Sequence, residues 1–296
     1  MCSLNNVANP FITGLYGYDN IEFEKIPQLR VHYWEGIVQA LRSLGASVIT
    51  ARVAKTGSVA FRAKQLHEFL EKTLPGQKIN LIGHSMGGLD GRYLISNIKN
   101  KSYKVLSLTT VATPHRGSPF MDWCKEHLRI AKIFSEQQAP NCSRNQYWFD
   151  RLMQHLDTPA YAHLTTDYCI NKFNPNTPDD PNVSYFSYNA YVDRMSIANI
   201  LHFPWTIINE RVGRNDGVVP LESGRWGRLV ETAQANHFDL VARYRWIVAL
   251  WKAISRVDSR MASIPSPEQL SSTKPQQFNN VDFYLRMSTF LHSQGF

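Results

Sequence analysis

The sequence predicts an α/β domain built on a mostly parallel central sheet flanked by helices. Three observations predict it. Apolar runs and amphipathic stretches alternate through the first 112 residues, the pattern of βαβ units. The apolar run Lys78 to Ile82 enters Gly83-His84-Ser85-Met86-Gly87 and leaves into a helix-like stretch, the strand–turn–helix context of a serine held on a tight turn. At 296 residues with 43% apolar content, the chain suits one large domain better than two small ones, and no repeat period is evident.

Phe11 to Thr13 reads as a short buried strand. Tyr33, Trp34, Ile37, Leu41 and Leu44 follow a helical period, and Gly45 stands where a helix ends. Ser47 to Val53 is the next strand. Ser58 can cap a helix carrying Leu66, Phe69, Leu70 and Leu74 that stops before Pro75-Gly76. Lys78 to Ile82, the helix Met86 to Ile98 and the strand Tyr103 to Ala112 continue the alternation. Ser184 to Val192 and Trp205 to Asn209 read as two more strands, followed by a helix at about His237 to Ile254.

Between Gly117 and Tyr168 the alternation fails over a length too great for a bare connection. Phe120, Trp123, Leu128, Ile130, Ile133 and Phe134 form one apolar group there. Tyr147, Trp148, Phe149, Leu152, Met153 and Leu156 lie on a strongly amphipathic pattern. An insertion of this kind after a catalytic-side strand reads as a helical lid over a site, or as a small cap that completes the core. The expected organisation is a domain over 1–263 with the insertion at 117–168, a Pro-, Ser- and Gln-rich linker at 264–280, and a helical tail at 281–296 that packs on the domain.

Net charge is +8 and the pI is about 9.3, spread along the chain without a dense basic block or a nucleic-acid motif. Nucleic acid is therefore not an expected partner; an anionic lipid surface is, with a merely soluble basic protein as the alternative. No apolar run approaches the ~18 residues of a membrane span, and Met1 to Asn20 lacks a basic segment followed by an apolar one. Cys2, Cys124, Cys142 and Cys169 show neither C-x-x-C nor ligand spacing, which points to free thiols, with a Cys142–Cys169 bridge as the alternative. The expectation is an intracellular protein, in cytoplasm or mitochondrion, that is peripheral on lipid surfaces and monomeric.

A serine hydroxyl attacks only when a base takes its proton. In an α/β-hydrolase arrangement that base is a late histidine, and the carboxylate that orients it lies between the two in sequence. His237 is preferred among the downstream histidines because Ala235-Asn236-His237-Phe238-Asp239 is a polar loop before an amphipathic stretch. Asp216 is preferred among the acids because Asn215-Asp216-Gly217 is a turn preceding Val218-Val219-Pro220. Ser85, Asp216 and His237 then stand in the required order. The oxyanion donors expected are the N–H groups of Met86, next after the serine, and of Leu15 in Thr13-Gly14-Leu15-Tyr16-Gly17 after the first strand.

At these positions the chain resembles the bacterial triacylglycerol lipases of α/β-hydrolase fold and their intracellular eukaryotic relatives. The resemblance runs through residues 13–19, Tyr33-Trp34-Glu35-Gly36-Ile37, residues 80–88, Ala112-Thr113-Pro114-His115-Arg116-Gly117-Ser118, residues 164–166, Phe173-Asn174, residues 215–220 and residues 236–239. It implies Ser85 as nucleophile, Asp216 as acid, His237 as base, Leu15 and Met86 as oxyanion donors, and a helical lid over residues 117–168. Two departures stand out. Thr13 occupies the place where the family usually has histidine. Of the two aspartates that hold a structural calcium in many secreted members, Asp239 resembles one, while Asp193 is only the nearest candidate for the other, so no bound metal and no cofactor are expected.

The expected activity is hydrolysis of carboxylic esters, acylglycerols above all, through an acyl-enzyme. Acyl transfer or thioester cleavage by the same site, and a lipid-binding pseudoenzyme, are the alternatives.

Overall fold

The computed structural model describes residues 9–12, 20–23, 26–34, 36–51, 53–54, 57–127, 159–197, 199, 201–241 and 278–296, with the backbone alone at 9–12, 20–23, 26–32, 127 and 159. The elements in chain order are β1 (Asn9–Ile12), β2 (Asn20–Phe23), β3 (Ile26–His32), α1 (Ile37–Ser43), β4 (Val48–Ala51), α2 (Val59–Thr73), β5 (Lys78–His84) and α3 (Met86–Asn97). They continue with β6 (Lys104–Val111), α4 (Pro119–His127), β7 (Ser184–Tyr191), α5 (His202–Val212), β8 (Arg228–Gln234) and α6 (Asn280–Ser293). A short helical turn, Pro159–Ala162, and a π-helical turn, Tyr168–Phe173, lie between α4 and β7.

The main sheet has the order β4-β1-β5-β6-β7-β8, and every pairing in it is parallel. Parallel sheets are covered on both faces, so their inner strands are apolar along their length rather than on alternate residues. β5 shows this: only Lys78, at its entrance, is exposed. Its side chains alternate between two cores. Ile79 and Leu81 pack with Leu66 and Leu70 of α2 and Leu94 of α3, whereas Ile82 joins Ile37 and Leu41 of α1 and Phe283 and Met287 of α6. The result is helix, sheet and helix in three layers, with β5 and β6 inside.

The Ser58 hydroxyl accepts from Phe61 N–H (3.1 Å) and starts α2, as the sequence predicts. The Asn279 side chain caps α6 in the same way, accepting from Val281 and Asp282 N–H. α6 buries Phe283, Tyr284, Met287 and Leu291, and Phe283 meets Tyr188 of β7 edge-on at 5.4 Å. No helix among the described residues is long and apolar enough to cross a membrane.

One expected element needs correction, and three strands lie where the sequence shows no clear pattern. Trp205 to Asn209 lies inside helix α5 and is not a strand. The run Trp205-Thr206-Ile207-Ile208 has strand-like composition, yet Leu201, Pro204, Ile207 and Ile208 are buried at helical spacing. Pro204 is compatible with this because the first turn of a helix has no use for its N–H. Strand β8 escapes a sequence reading because Arg228-Leu229-Val230-Glu231-Thr232-Ala233-Gln234 is an edge strand with a mixed surface, in which only Ala233 is buried. The antiparallel pair β2–β3 also escaped. Of the helix expected at His237 to Ile254, residues 237–241 form turns and a bend and the remainder lies outside the described residues, as do residues 264–277 of the linker expected at 264–280 and Trp148, Phe149, Leu152 and Met153 of the insertion; Asn280, expected in the linker, already belongs to α6. Cys124 and Cys169 are buried free thiols, and Cys142 lies outside the described residues.

If α6 is part of the core, Phe283→Ala should cost about 3–5 kcal/mol of stability, the usual cost of deleting a fully buried aromatic ring. Chemical denaturation would measure it, and a change below about 1 kcal/mol would mean the helix packs loosely.

Candidate active site

The carboxyl ends of β5, β6, β7 and β8 are joined by main-chain hydrogen bonds that run past the strands themselves. Ser85 N–H donates to Val111 O (2.9 Å), Ala112 N–H to Tyr188 O (2.8 Å) and Ala235 N–H to Tyr191 O (3.0 Å). Val192 N–H, just beyond β7, donates to Asn215 O (3.0 Å). This rim brings together segments far apart in sequence, as expected for a ligand site in a parallel sheet.

Ser85 stands between the last residue of β5 and the first of α3, with φ 55°. That left-handed conformation is strained for a residue with a side chain. The turn is tight enough that a Cβ at Gly83 would lie 2.7 Å from Gly88 N and 2.8 Å from the Gly87 carbonyl, all backbone atoms unable to yield. At Gly88 a Cβ would fall on Thr113, whose hydroxyl donates to Ser85 O (2.8 Å). Met86 opens α3, so its N–H belongs to the first turn, where a helix offers no partner.

His237 follows β8 by three residues and is buried. Its Nδ1 hydrogen-bonds Asp216 Oδ2 at 2.7 Å, and its main-chain N–H donates to Asp216 O at 2.9 Å. Asp216 is fully buried, and its Oδ1 accepts from the N–H groups of Val218 (2.8 Å) and Val219 (2.7 Å). The carboxylate is thus an acceptor on both oxygens, which favours the imidazole proton on Nδ1 and leaves Nε2 as the acceptor nitrogen of the ring. The turn holding Asp216 follows helix α5, which ends at Gly213 with φ 85°.

His84, immediately before Ser85, bridges the elbow to the histidine. Its ring centroid lies 4.6 Å from that of His237, and its Nδ1 hydrogen-bonds the Tyr33 hydroxyl at 2.6 Å. Trp34 meets His84 edge-on at 6.4 Å and Tyr284 of α6 at 5.6 Å. The Tyr33-Trp34 pair therefore supports the elbow from within the core.

The loop after β6, Thr113 to Ser118, makes a second buried assembly. Arg92 of α3 donates to Asn174 Oδ1 (2.8 Å) and Thr177 O (3.1 Å) and lies 3.4 Å under the Trp226 ring. His115 stacks on the same ring at 5.2 Å, and Nε2 contacts Thr110 Oγ1 at 3.1 Å. Burial, then the charges of Arg92 and Arg116, hold the His115 pKa well below the usual imidazole value, so it is a neutral structural group.

Ser85, Met86, Asp216 and His237 are thus brought to one end of the sheet, while Leu15 and Thr13 lie outside the described residues. Asp193 and Asp239 are differently employed. Asp239 Oδ2 accepts from Asn236 N–H (3.0 Å), and burial raises its pKa to about 6. Asp193 accepts from Gln234 (3.0 Å) and pairs with Arg214 (3.7 Å). Among the described residues no group of three or more His, Cys, Asp or Glu could hold a metal ion. Sequence reasoning gave no role to Thr113, Ser118 or His84, although all three fall in blocks that carry the family resemblance.

A family model described as palmitoyl protein thioesterase matches residues 28–195. The chain is similar to triacylglycerol lipase 2 of Saccharomyces cerevisiae, 34% identical over 279 residues, covering 90% of this chain and 76% of the yeast protein. It is also similar to the triacylglycerol lipase of Pseudomonas fragi, 34% identical and covering 78% of this chain and 86% of that one. In fold it is similar to the crystal structure of Staphylococcus hyicus lipase, with a TM-score of 0.61 at 16% identity over 97% and 96% of the two chains.

Because the obstruction at Gly83 is backbone, Gly83→Ala should lower the melting temperature and cut ester hydrolysis at least about a hundredfold, by displacing the strained turn. Wild-type melting and activity together would show that the turn has room the geometry denies.

Proposed function

The chain belongs to the triacylglycerol lipase family of α/β-hydrolases, and on that premise we propose that Ser85, Asp216 and His237 are its catalytic triad and acylglycerols its main substrates. The observation that carries this reading is the 2.7 Å bond from His237 Nδ1 to a buried Asp216, with the His237 ring 4.6 Å from that of His84, next in the chain to a serine with φ 55°.

The chemistry is hydrolysis of a carboxylic ester through an acyl-enzyme. Ser85 Oγ attacks the ester carbonyl while His237 Nε2 takes its proton. Asp216 holds the ring in the correct tautomer and stabilises the imidazolium that forms. The oxyanion meets Met86 N–H at the start of α3 and, in this proposal, Leu15 N–H; each such donor is typically worth about 3 kcal/mol of transition-state stabilisation. The imidazolium returns the proton to the leaving alcohol, and a water then releases the acid by the same steps in reverse. Every group required is an ordinary side chain or main-chain N–H, so the proposed mechanism uses no cofactor.

The net charge of +8 supports transient binding to an anionic lipid surface. The free thiols of Cys124 and Cys169 support a reducing compartment inside the cell. A thioester forms the same acyl-enzyme, and the match of residues 28–195 to the palmitoyl protein thioesterase model favours including one in any test.

Purified protein should hydrolyse a triacylglycerol emulsion and short p-nitrophenyl esters faster than a palmitoyl thioester. Ser85→Ala should abolish all three activities while leaving the fold intact, and Asp216→Asn should lower turnover by up to about 10⁴. A preference for the thioester would reassign the substrate class, and activity of either variant near wild type would remove the triad.

A further inference from the structure

Asp216 Oδ1 is held by two N–H groups, and one of them belongs to a peptide unit that is itself anchored from behind. The Ser118 hydroxyl donates to Val218 O at 2.6 Å. Val218 O and Val219 N–H are the two ends of one planar amide. Ser118 therefore grips the oxygen of the same rigid plate whose N–H points at Asp216 Oδ1 at 2.7 Å. An amide that accepts at its oxygen becomes a stronger donor at its nitrogen, so the grip also strengthens the bond to the carboxylate.

Ser118 is buried, with 1% of its surface exposed, and lies 100 residues before Val218. Its own main chain is fixed, because its N–H donates to Leu164 O at 2.9 Å. The surrounding loops do not depend on its hydroxyl. Ser223 Oγ donates to Gly117 O (2.7 Å) and accepts from Arg116 N–H (3.0 Å), and the Arg116 guanidinium donates to Glu222 O and Arg225 O. Removing the Ser118 hydroxyl would thus leave the two loops docked and free only the plate that faces Asp216.

We infer that Ser118 is a positioning residue for the reaction, acting through the Val218–Val219 amide to fix the carboxylate that orients His237. The inference rests on the triad reading above. It assigns a function to the last residue of Thr113-Pro114-His115-Arg116-Gly117-Ser118, a block otherwise occupied with structural bonds.

The test is a double-mutant cycle on a soluble short-chain ester, with kcat and KM measured for Ser118→Ala, Asp216→Ala and the pair, at a temperature where all remain folded. Ser118→Ala should lower kcat about tenfold with KM within about twofold. In the Asp216→Ala background the same change should cost less than about twofold, since the plate then has nothing to hold. Ser118→Cys, nearly isosteric with a weaker donor, should fall between Ser118→Ala and wild type and serves if the alanine variant folds poorly. An Asp216→Ala with turnover reduced at least about a thousandfold but still measurable, beside a Ser118→Ala within twofold of wild type, would overturn this inference alone, as would equal losses in both backgrounds. An active Asp216→Ala would remove the triad reading and this inference with it.

Discussion

A residue with a side chain held at φ 55° costs on the order of 1–3 kcal/mol, and persists only where its surroundings over-determine it. At Ser85 that determination comes from several directions. The main chain is tied to β6 through Val111 O, and the carbonyl is tied to Thr113 Oγ1. The backbone of residues 87–88 occupies the space a side chain at position 83 would need. Strand β5, buried on both faces, gives the turn a rigid base, and α3 starts at once on its far side. The serine is consequently presented at the carboxyl end of the sheet beside an N–H that the helix leaves unused. Everything proposed for the site follows from this turn.

The sheet order then explains how residues scattered along the chain share one end of the sheet. β5 and β6 are neighbours, and β6, β7 and β8 follow in turn, so the loops leaving them are stacked side by side. Ser85 leaves β5, Thr113 and Ser118 leave β6, Asp216 lies in the excursion after β7, and His237 leaves β8. Asp216 and His237 are only 21 residues apart and are bonded twice, through side chains and through His237 N–H to Asp216 O. The two loops from β6 and β7 are bonded to each other through Ser118, Ser223 and Arg116. The Asp216 carboxylate is therefore held by groups from the loops on both sides of it.

Much of this was legible in the sequence wherever local pattern and tertiary role agree. Ser58, Gly45 and the apolar stripe of α2 announce a helix because capping and periodicity act over a few residues. The elbow was legible because tight turns demand glycine at fixed places. Strand β8 was not, since an edge strand carrying Arg228, Glu231 and Gln234 has no strong alternation to show. Helix α5 was misread because β-branched Thr206, Ile207 and Ile208 favour strands locally, whereas burial of Leu201, Pro204 and Ile208 on one helical face decides the matter. The candidate acid and base were reachable from their order and turn chemistry. Ser118, Thr113 and His84 were not, because what they do depends on contacts across strands: 100 residues for Ser118, 28 for Thr113 and 51 for the bond from Tyr33 to His84.

The central claim is that Ser85 is a nucleophile activated by His237. The most direct measurement is intact-mass spectrometry of the protein after reaction with a p-nitrophenyl alkylphosphonate, with the adduct mapped by peptide sequencing and the rate compared with His237→Ala. One phosphonyl group on Ser85, formed far more slowly in the histidine variant, is the result this account predicts. An adduct on another residue, or equal rates in both proteins, would contradict it.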